Sequence, residues 1–201
     1  TGKNMMARPE LPVIPGMEVM GHVVAAGEGV GDWLGRRVVA MPRQATGGFA
    51  EYSICPVVSA FDMPEAIPAP DAGALYFPYH LAWLGLIDRA DLQAGETVLI
   101  HAAAGGAGSA AIQLAKHRGA TVFATAGSEA KLELCRELGA DFVINYTTDT
   151  TDTTATTDTT DTTDTTDTTA TTTGTTTDAT EDFASIVLEE TKGRGVDVVF
   201  D

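Results

Sequence analysis

The run Ala103-Ala104-Gly105-Gly106-Ala107-Gly108 is the part of this 201-residue chain best suited to chemistry. It follows the β-rich run Thr97-Val98-Leu99-Ile100-His101 and opens a helical stretch of small residues over 109–117. A glycine-rich bend between strand and helix leaves main-chain amides bare, and the helix N-terminus adds unpaired N–H groups and a positive dipole end. Together these suit a polyphosphate. Set against the dinucleotide fingerprint G-x-G-x-x-G, Ala103 takes the first position, where the chain turns tightly, Gly105 the second and Gly108 the third. Gly105 has no side chain to hold backbone away from a pyrophosphate, and Gly108 permits close packing of helix on strand. By themselves the six residues would serve a plain tight turn equally well. The strand before, the helix after and a second βαβ unit favour a dinucleotide. The expected phosphate-binding residues are Ala104, Gly105, Gly106, Ala107 and Gly108.

The end of the second strand discriminates between the two nicotinamide dinucleotides. A site for the unphosphorylated form carries Asp or Glu about twenty residues on, where it binds the ribose 2′-hydroxyl. Here that stretch is Thr125-Ala126-Gly127-Ser128, without an acid. Ser128 offers a hydrogen-bond donor, and Lys131, one turn later, offers positive charge to a 2′-phosphate. The expected coenzyme is therefore NADP(H). Ser128 also suits a simple helix cap, and the two roles are compatible; Lys131 is otherwise a solvated helix residue.

These residues need a parallel sheet behind them, and the hydrophobic pattern supplies it. A mostly apolar stretch over 74–87 predicts a buried helix that Pro78 either kinks or starts. After the strand 97–101 come a helix over 109–117 stopped by Gly119, a strand 121–125, a helix from Ser128 through Cys135 to Leu138 stopped by Gly139, and a strand 142–144. Such alternation means right-handed crossovers and a parallel sheet. Before Asp71 the pattern is short apolar runs broken by Gly and Pro. Val23-Val24-Ala25, Val38-Val39-Ala40-Met41 and Tyr52-Ser53-Ile54-Cys55 read as strands of a small, irregular β domain, with turns at 27–31 and 46–48.

The segment 147–180 differs in kind. It consists mainly of Thr-Thr-Asp and Thr-Thr-Ala triplets. It offers no large aliphatic or aromatic side chain to offset the ordering entropy, so disorder is expected. A stacked threonine array would need an apolar core that the repeat lacks. Beyond it, Thr180-Glu181-Asp182 reads as an N-cap with first-turn acids. Phe183, Ile186, Val187 and Glu190 then read as a helix stopped by Gly193, and 196–200 as a fourth strand. Deleting the segment leaves a connection of ordinary length, so it reads as an insertion in a surface loop.

The formal charge is −16, but Asp149, Asp152, Asp158, Asp161, Asp164, Asp167 and Asp178 lie in that segment, and about −9 remains without those seven. No basic cluster favours nucleic acid or an anionic membrane. No apolar run is long enough to span a bilayer and no signal peptide opens the chain, so cytoplasm is the expected compartment. Cys55 and Cys135 lack any zinc-like spacing and read as small buried hydrophobes. His22, His80, His101 and His117 likewise show no ligand spacing, so no metal is expected. No Ser/His/Asp, Cys/His or paired-carboxylate set appears. Hydride transfer requires none, and no catalytic residue is named.

With these residues placed, the chain resembles the zinc-free quinone oxidoreductase (zeta-crystallin-like) branch of the medium-chain dehydrogenase/reductase superfamily. The matching text includes Pro15-Gly16-Met17-Glu18-Val19-Met20-Gly21, Gly48-Phe49-Ala50-Glu51-Tyr52, the whole of 101–116, Leu138-Gly139-Ala140-Asp141 and Ile144-Asn145-Tyr146. The resemblance implies an α/β chain: part of a GroES-like β domain over 1–72, then a partial Rossmann doubly wound parallel sheet over 73–201. That second domain would be incomplete at its C-terminus and interrupted by 147–180, its fourth strand lying beside its first. The resemblance also implies NADPH-dependent hydride transfer to a quinone or α,β-unsaturated carbonyl in the cleft between the domains. It implies a small-molecule partner rather than nucleic acid or a membrane, and allows a homodimer through sheet edges mostly outside this chain. In relatives, residues matching Ser128, Lys131 and Tyr146 hold the 2′-phosphate; Tyr146 otherwise reads as a strand-end aromatic over the core. Zinc-dependent members place a ligand His before the glutamate that Glu18 matches, where this chain has Met17. Relatives often carry a threonine near the nicotinamide where Leu81 stands, and full-length ones extend beyond both ends. The alternative is a non-catalytic dinucleotide-binding fragment, or a decayed reductase with a repeat expansion.

Overall fold

A computed structural model describes residues 12–147 and 183–201. The expectations for 148–180, and for the cap and acids at 180–182, lie outside the described residues.

Two sheets form. In the first, β1 (Val19–His22), β2 (Arg37–Ala40) and β3 (Ala60–Asp62) run antiparallel in that order. The central strand β2 is buried along its length and lies where a strand is expected. Its neighbours do not. The first strand precedes the expected 23–25 run, because Val19 to His22 hold the rungs opposite Ala40 to Arg37. The expected strand at 52–55 is absent, with Tyr52 and Ile54 left exposed, and Ala60 to Asp62 pair with β2 instead. A strand forms where a partner edge is free, and local composition does not locate that edge. Arg37, almost fully buried, holds the chain beyond β3: its guanidinium donates to the carbonyls of Met63, Pro64 and Ile67.

That chain leads into α1 (Ala69–Ala72) and α2 (Tyr76–Trp83), the latter running on into a π-helical turn over Leu84–Arg89. The single helix expected over 74–87 is thus divided. Pro78 falls in the first turn of α2, where a missing N–H leaves no bond unmade, so it starts the helix without kinking it.

The second sheet is parallel, with β4 (Thr97–Ile100), β5 (Thr121–Ala126), β6 (Phe142–Asn145) and β7 (Val198–Phe200) in the order β6-β5-β4-β7. The fourth strand lies beside the first, as a Rossmann sheet requires. Period-2 alternation divides the core. Val98, Ile100, Val122 and Ala124 face α3 (Gly106–His117), α2 and the π-helical turn, meeting Ala110 and Ile112, Ala82, and Leu86. Leu99, Phe123 and Ile144 face the opposite side, against Val187 of α5 (Phe183–Glu190). Each buried Val, Ile, Leu or Phe among them contributes roughly 1.5–3 kcal/mol. The remaining helix, α4 (Glu129–Glu137), joins β5 to β6.

Candidate functional site

The C-terminal ends of β4 and β5 open on a cleft of about 160 Å3. The turn after β4 contributes Ala102, Ala104 and Gly105; the end of β5 contributes Ala126 and Gly127; Lys131 and Tyr146 complete it.

The turn is built from backbone. Ala102 has a φ of 46°, in the left-handed region. The tight bend therefore falls one residue before the fingerprint position expected to make it. Ala103 is fully buried instead, its N–H donating 2.9 Å to Thr125 O. The Gly105 N–H returns to Ala102 O at 2.8 Å, and Gly105 caps α3 in an extended conformation. The amides of Gly106, Ala107 and Gly108 then have no carbonyl to bond within α3. A Cβ on Gly108 would lie 2.7 Å from Ala102 O and from Ala103 Cα, so helix and turn meet backbone to backbone. Gly106 carries no such constraint: its nearest neighbour would be Pro78 Cγ at 3.6 Å.

The far end is built from side chains. Ser128 occupies the N-cap position of α4, but its hydroxyl makes no capping bond. Glu129 and Glu133 both turn to Arg136, at 2.7 and 2.9 Å. Lys131 is exposed on the same helix and makes no ion pair among the described residues, so its charge stands at the cleft without a carboxylate beside it. Tyr146 lies across Gly127, whose added Cβ would be 3.2 Å from both its ring and its hydroxyl. A side chain there would press the tyrosine ring outward by a few tenths of an ångström.

Of the expected site residues, Ala104, Gly105, Lys131 and Tyr146 line the cleft. Gly106, Ala107 and Gly108 form the first turn of α3, and Ser128 sits at the start of α4. Ala102, Ala126 and Gly127 line the cleft without having been expected there. A positive φ at an alanine leaves no trace in composition, whereas Gly127 directly after a strand is a visible signal.

Glu18 serves the structure, since its carboxylate accepts the Phe77 N–H at 2.9 Å in the first turn of α2. Among the described residues no three His, Cys, Asp or Glu side chains gather where they could share a metal. Burial pushes the thiols of Cys55 and Cys135 above the usual cysteine range, which disfavours the reactive thiolate.

The family models agree with this architecture. Residues 1–65 match the alcohol dehydrogenase GroES-like domain and residues 106–201 the zinc-binding dehydrogenase domain. The synaptic vesicle membrane protein VAT-1 homolog of Mus musculus is 46% identical over 144 residues, covering 70% of this chain and 35% of that protein. The quinone oxidoreductase of Sus scrofa is 37% identical over 139 residues, 69% of this chain and 42% of its own. A mycobacterial protein solved in complex with NADPH superposes with a TM-score of 0.74 at 29% identity, covering all of this chain and 55% of that one. The chain belongs to the medium-chain dehydrogenase/reductase superfamily, in its quinone oxidoreductase branch. It spans well under half the length of the curated relatives it matches.

Proposed function

We propose that this protein binds NADP(H) at the cleft and transfers hydride to a quinone or an α,β-unsaturated carbonyl. The observation that carries the coenzyme choice is Lys131, which lines the cleft and makes no ion pair among the described residues, beside a strand end, Ala126-Gly127-Ser128, that bears no carboxylate. In this reading the turn from Ala104 to Gly108 holds the pyrophosphate, chiefly through the unpartnered amides of Gly106, Ala107 and Gly108, with Gly105 bringing backbone close to it, and Ser128, Lys131 and Tyr146 hold the 2′-phosphate. The reduced nicotinamide supplies the hydride when bound. This chain's residues bind and orient the coenzyme, and none is assigned as acid or base. The division that accompanies this reading is a GroES-like part over 1–72 and a coenzyme part over 73–201. A cytoplasmic protein with a small-molecule substrate fits it; among the described residues no helix is long and apolar enough to cross a membrane.

The test is a titration of the complete protein with NADPH and NADH, followed by nicotinamide fluorescence, then NADPH oxidation with a quinone and with an enoyl thioester. Tighter binding of NADPH and turnover of one acceptor are the expected results. Binding without turnover of either would favour the non-catalytic alternative, and preference for NADH would overturn the coenzyme assignment.

A further inference from the structure

Past the last regular rungs of the parallel sheet, the ends of β5 and β6 are joined by a small clasp. The Tyr146 N–H reaches Ala126 O at 3.3 Å, a long closing rung. One residue on, the Thr147 hydroxyl lies 2.8 Å from Gly127 O and 2.9 Å from Asn145 Oδ1. Asn145 Oδ1 also accepts the Thr147 N–H at 3.0 Å, closing a side-chain turn over Tyr146. The hydroxyl carries one proton, and Asn145 Oδ1 already has a donor, so that proton serves the Gly127 carbonyl first. The residues on both sides of Tyr146 are thereby fixed to each other and to the end of β5.

The ring they hold is the part of the cleft that most needs holding. Tyr146 is 46% exposed, and its ring rests on Gly127, a surface with no side chain to grip it. The clasp ties together the two residues that flank this ring, which lines the cleft with Lys131.

We propose that Asn145 and Thr147 are positioning residues that set coenzyme preference through Tyr146: their clasp on the Gly127 carbonyl holds the phenol where a 2′-phosphate binds. This rests on the NADP(H) reading of the cleft. An NADH molecule lacks the phosphate that the phenol would meet, so loss of the clasp weakens NADPH and leaves NADH nearly untouched.

The test measures dissociation constants for both coenzymes on the full protein by nicotinamide fluorescence. Thr147→Val keeps the shape and removes the hydroxyl; it is expected to weaken NADPH about three- to tenfold, the worth of one lost hydrogen bond. NADH is expected to change less than about twofold on the same scale. Thr147→Ser restores the hydroxyl and the preference. In a Tyr146→Ala background, Thr147→Val is expected to weaken NADPH no further, because the clasp acts through the ring. A merely structural role would weaken both coenzymes together and would add to Tyr146→Ala. Either of those results overturns the proposal, as does an unchanged NADPH to NADH ratio in Thr147→Val. A wild-type protein that prefers NADH, with a preference that Lys131→Ala does not alter, overturns the reading of the cleft and the clasp with it.

Discussion

The two ends of the cleft are made of different materials. At the turn after β4 the contacts are backbone on backbone: Gly105 closes on Ala102, and Gly108 touches Ala102 and Ala103. At the end of β5 they are side chains, Lys131 and Tyr146, carried by α4 and by the end of β6. Backbone surfaces suit what the two nicotinamide coenzymes share, the pyrophosphate, and leave no room for variation. Side chains suit what distinguishes them, the 2′-phosphate, and can be exchanged without disturbing the sheet. In the proposed reading, the difference teaches where coenzyme affinity and coenzyme preference would separate.

Gly108→Val attacks the shared end and has the largest expected effect. Its first added carbon would sit 2.7 Å from two backbone atoms, so α3 must move away from the turn. Both coenzymes are expected to lose measurable binding, with roughly 1–3 kcal/mol of stability lost in thermal unfolding. If NADPH and NADH bind this variant as before, the division between the ends fails. Lys131→Ala attacks the other end. NADPH affinity should fall about tenfold, the loss of one charge-assisted contact, while NADH affinity stays within about twofold. Added salt should erode the wild-type preference in the same direction, since Lys131 is exposed. Equal weakening of both coenzymes would show that the lysine does not read the 2′ position. Gly127→Ala is subtler. The Tyr146 ring, 3.2 Å from the new carbon, must shift by tenths of an ångström, and an NADPH-specific loss of about twofold is expected from this mild overpacking.

The smallest expected effect on the comparison is at Asp197, at the edge of the sheet opposite the cleft. Its carboxylate accepts the Thr97 N–H and hydroxyl, both at 2.8 Å, and Arg194 at 2.7 Å. The Thr97 donors, with help from Arg194, hold it below the usual carboxylate range. A lowered folded value stabilises at neutral pH, and that contribution disappears as pH falls through the ordinary carboxylate range of about 4 and below. Asp197→Asn should therefore flatten the acid limb of an unfolding-versus-pH curve and leave the ratio of NADPH to NADH affinity unchanged. An acid limb identical to wild type would remove Asp197 from that account, and an altered ratio would mean the cleft is coupled to the far edge.

Legibility in the sequence follows the same line between local and distant causes. All four strands of the parallel sheet and the helices between them are expected from the sequence, because short apolar runs alternate with helical periods and Gly119, Gly139 and Gly193 stop the helices. Each of these glycines takes a positive φ. In the antiparallel sheet only β2 is expected. β1 and β3 exist because β2 has two edges to fill, and Arg37 orders the 63–67 segment through three carbonyls far along the chain. An arginine in a strand carries no mark of that role. Within the cleft, Gly105 and Lys131 stand out by type and spacing and Tyr146 only through the family resemblance, but the left-handed bend at Ala102 does not stand out, since an alanine normally argues against it.

The order of residues alone determined that a glycine-rich bend would join a strand to a helix and that the C-terminal end of the second strand would carry no acid. Those features depend on neighbours a few positions apart, where chain geometry leaves little choice. Tertiary structure decided which residues meet: that Tyr146 lies on Gly127, that Thr147 reaches back twenty positions to the Gly127 carbonyl, and that Glu18 meets the first turn of α2. Such encounters depend on how two sheets and their helices pack, and packing brings together residues whose separation along the chain says nothing of their distance in space.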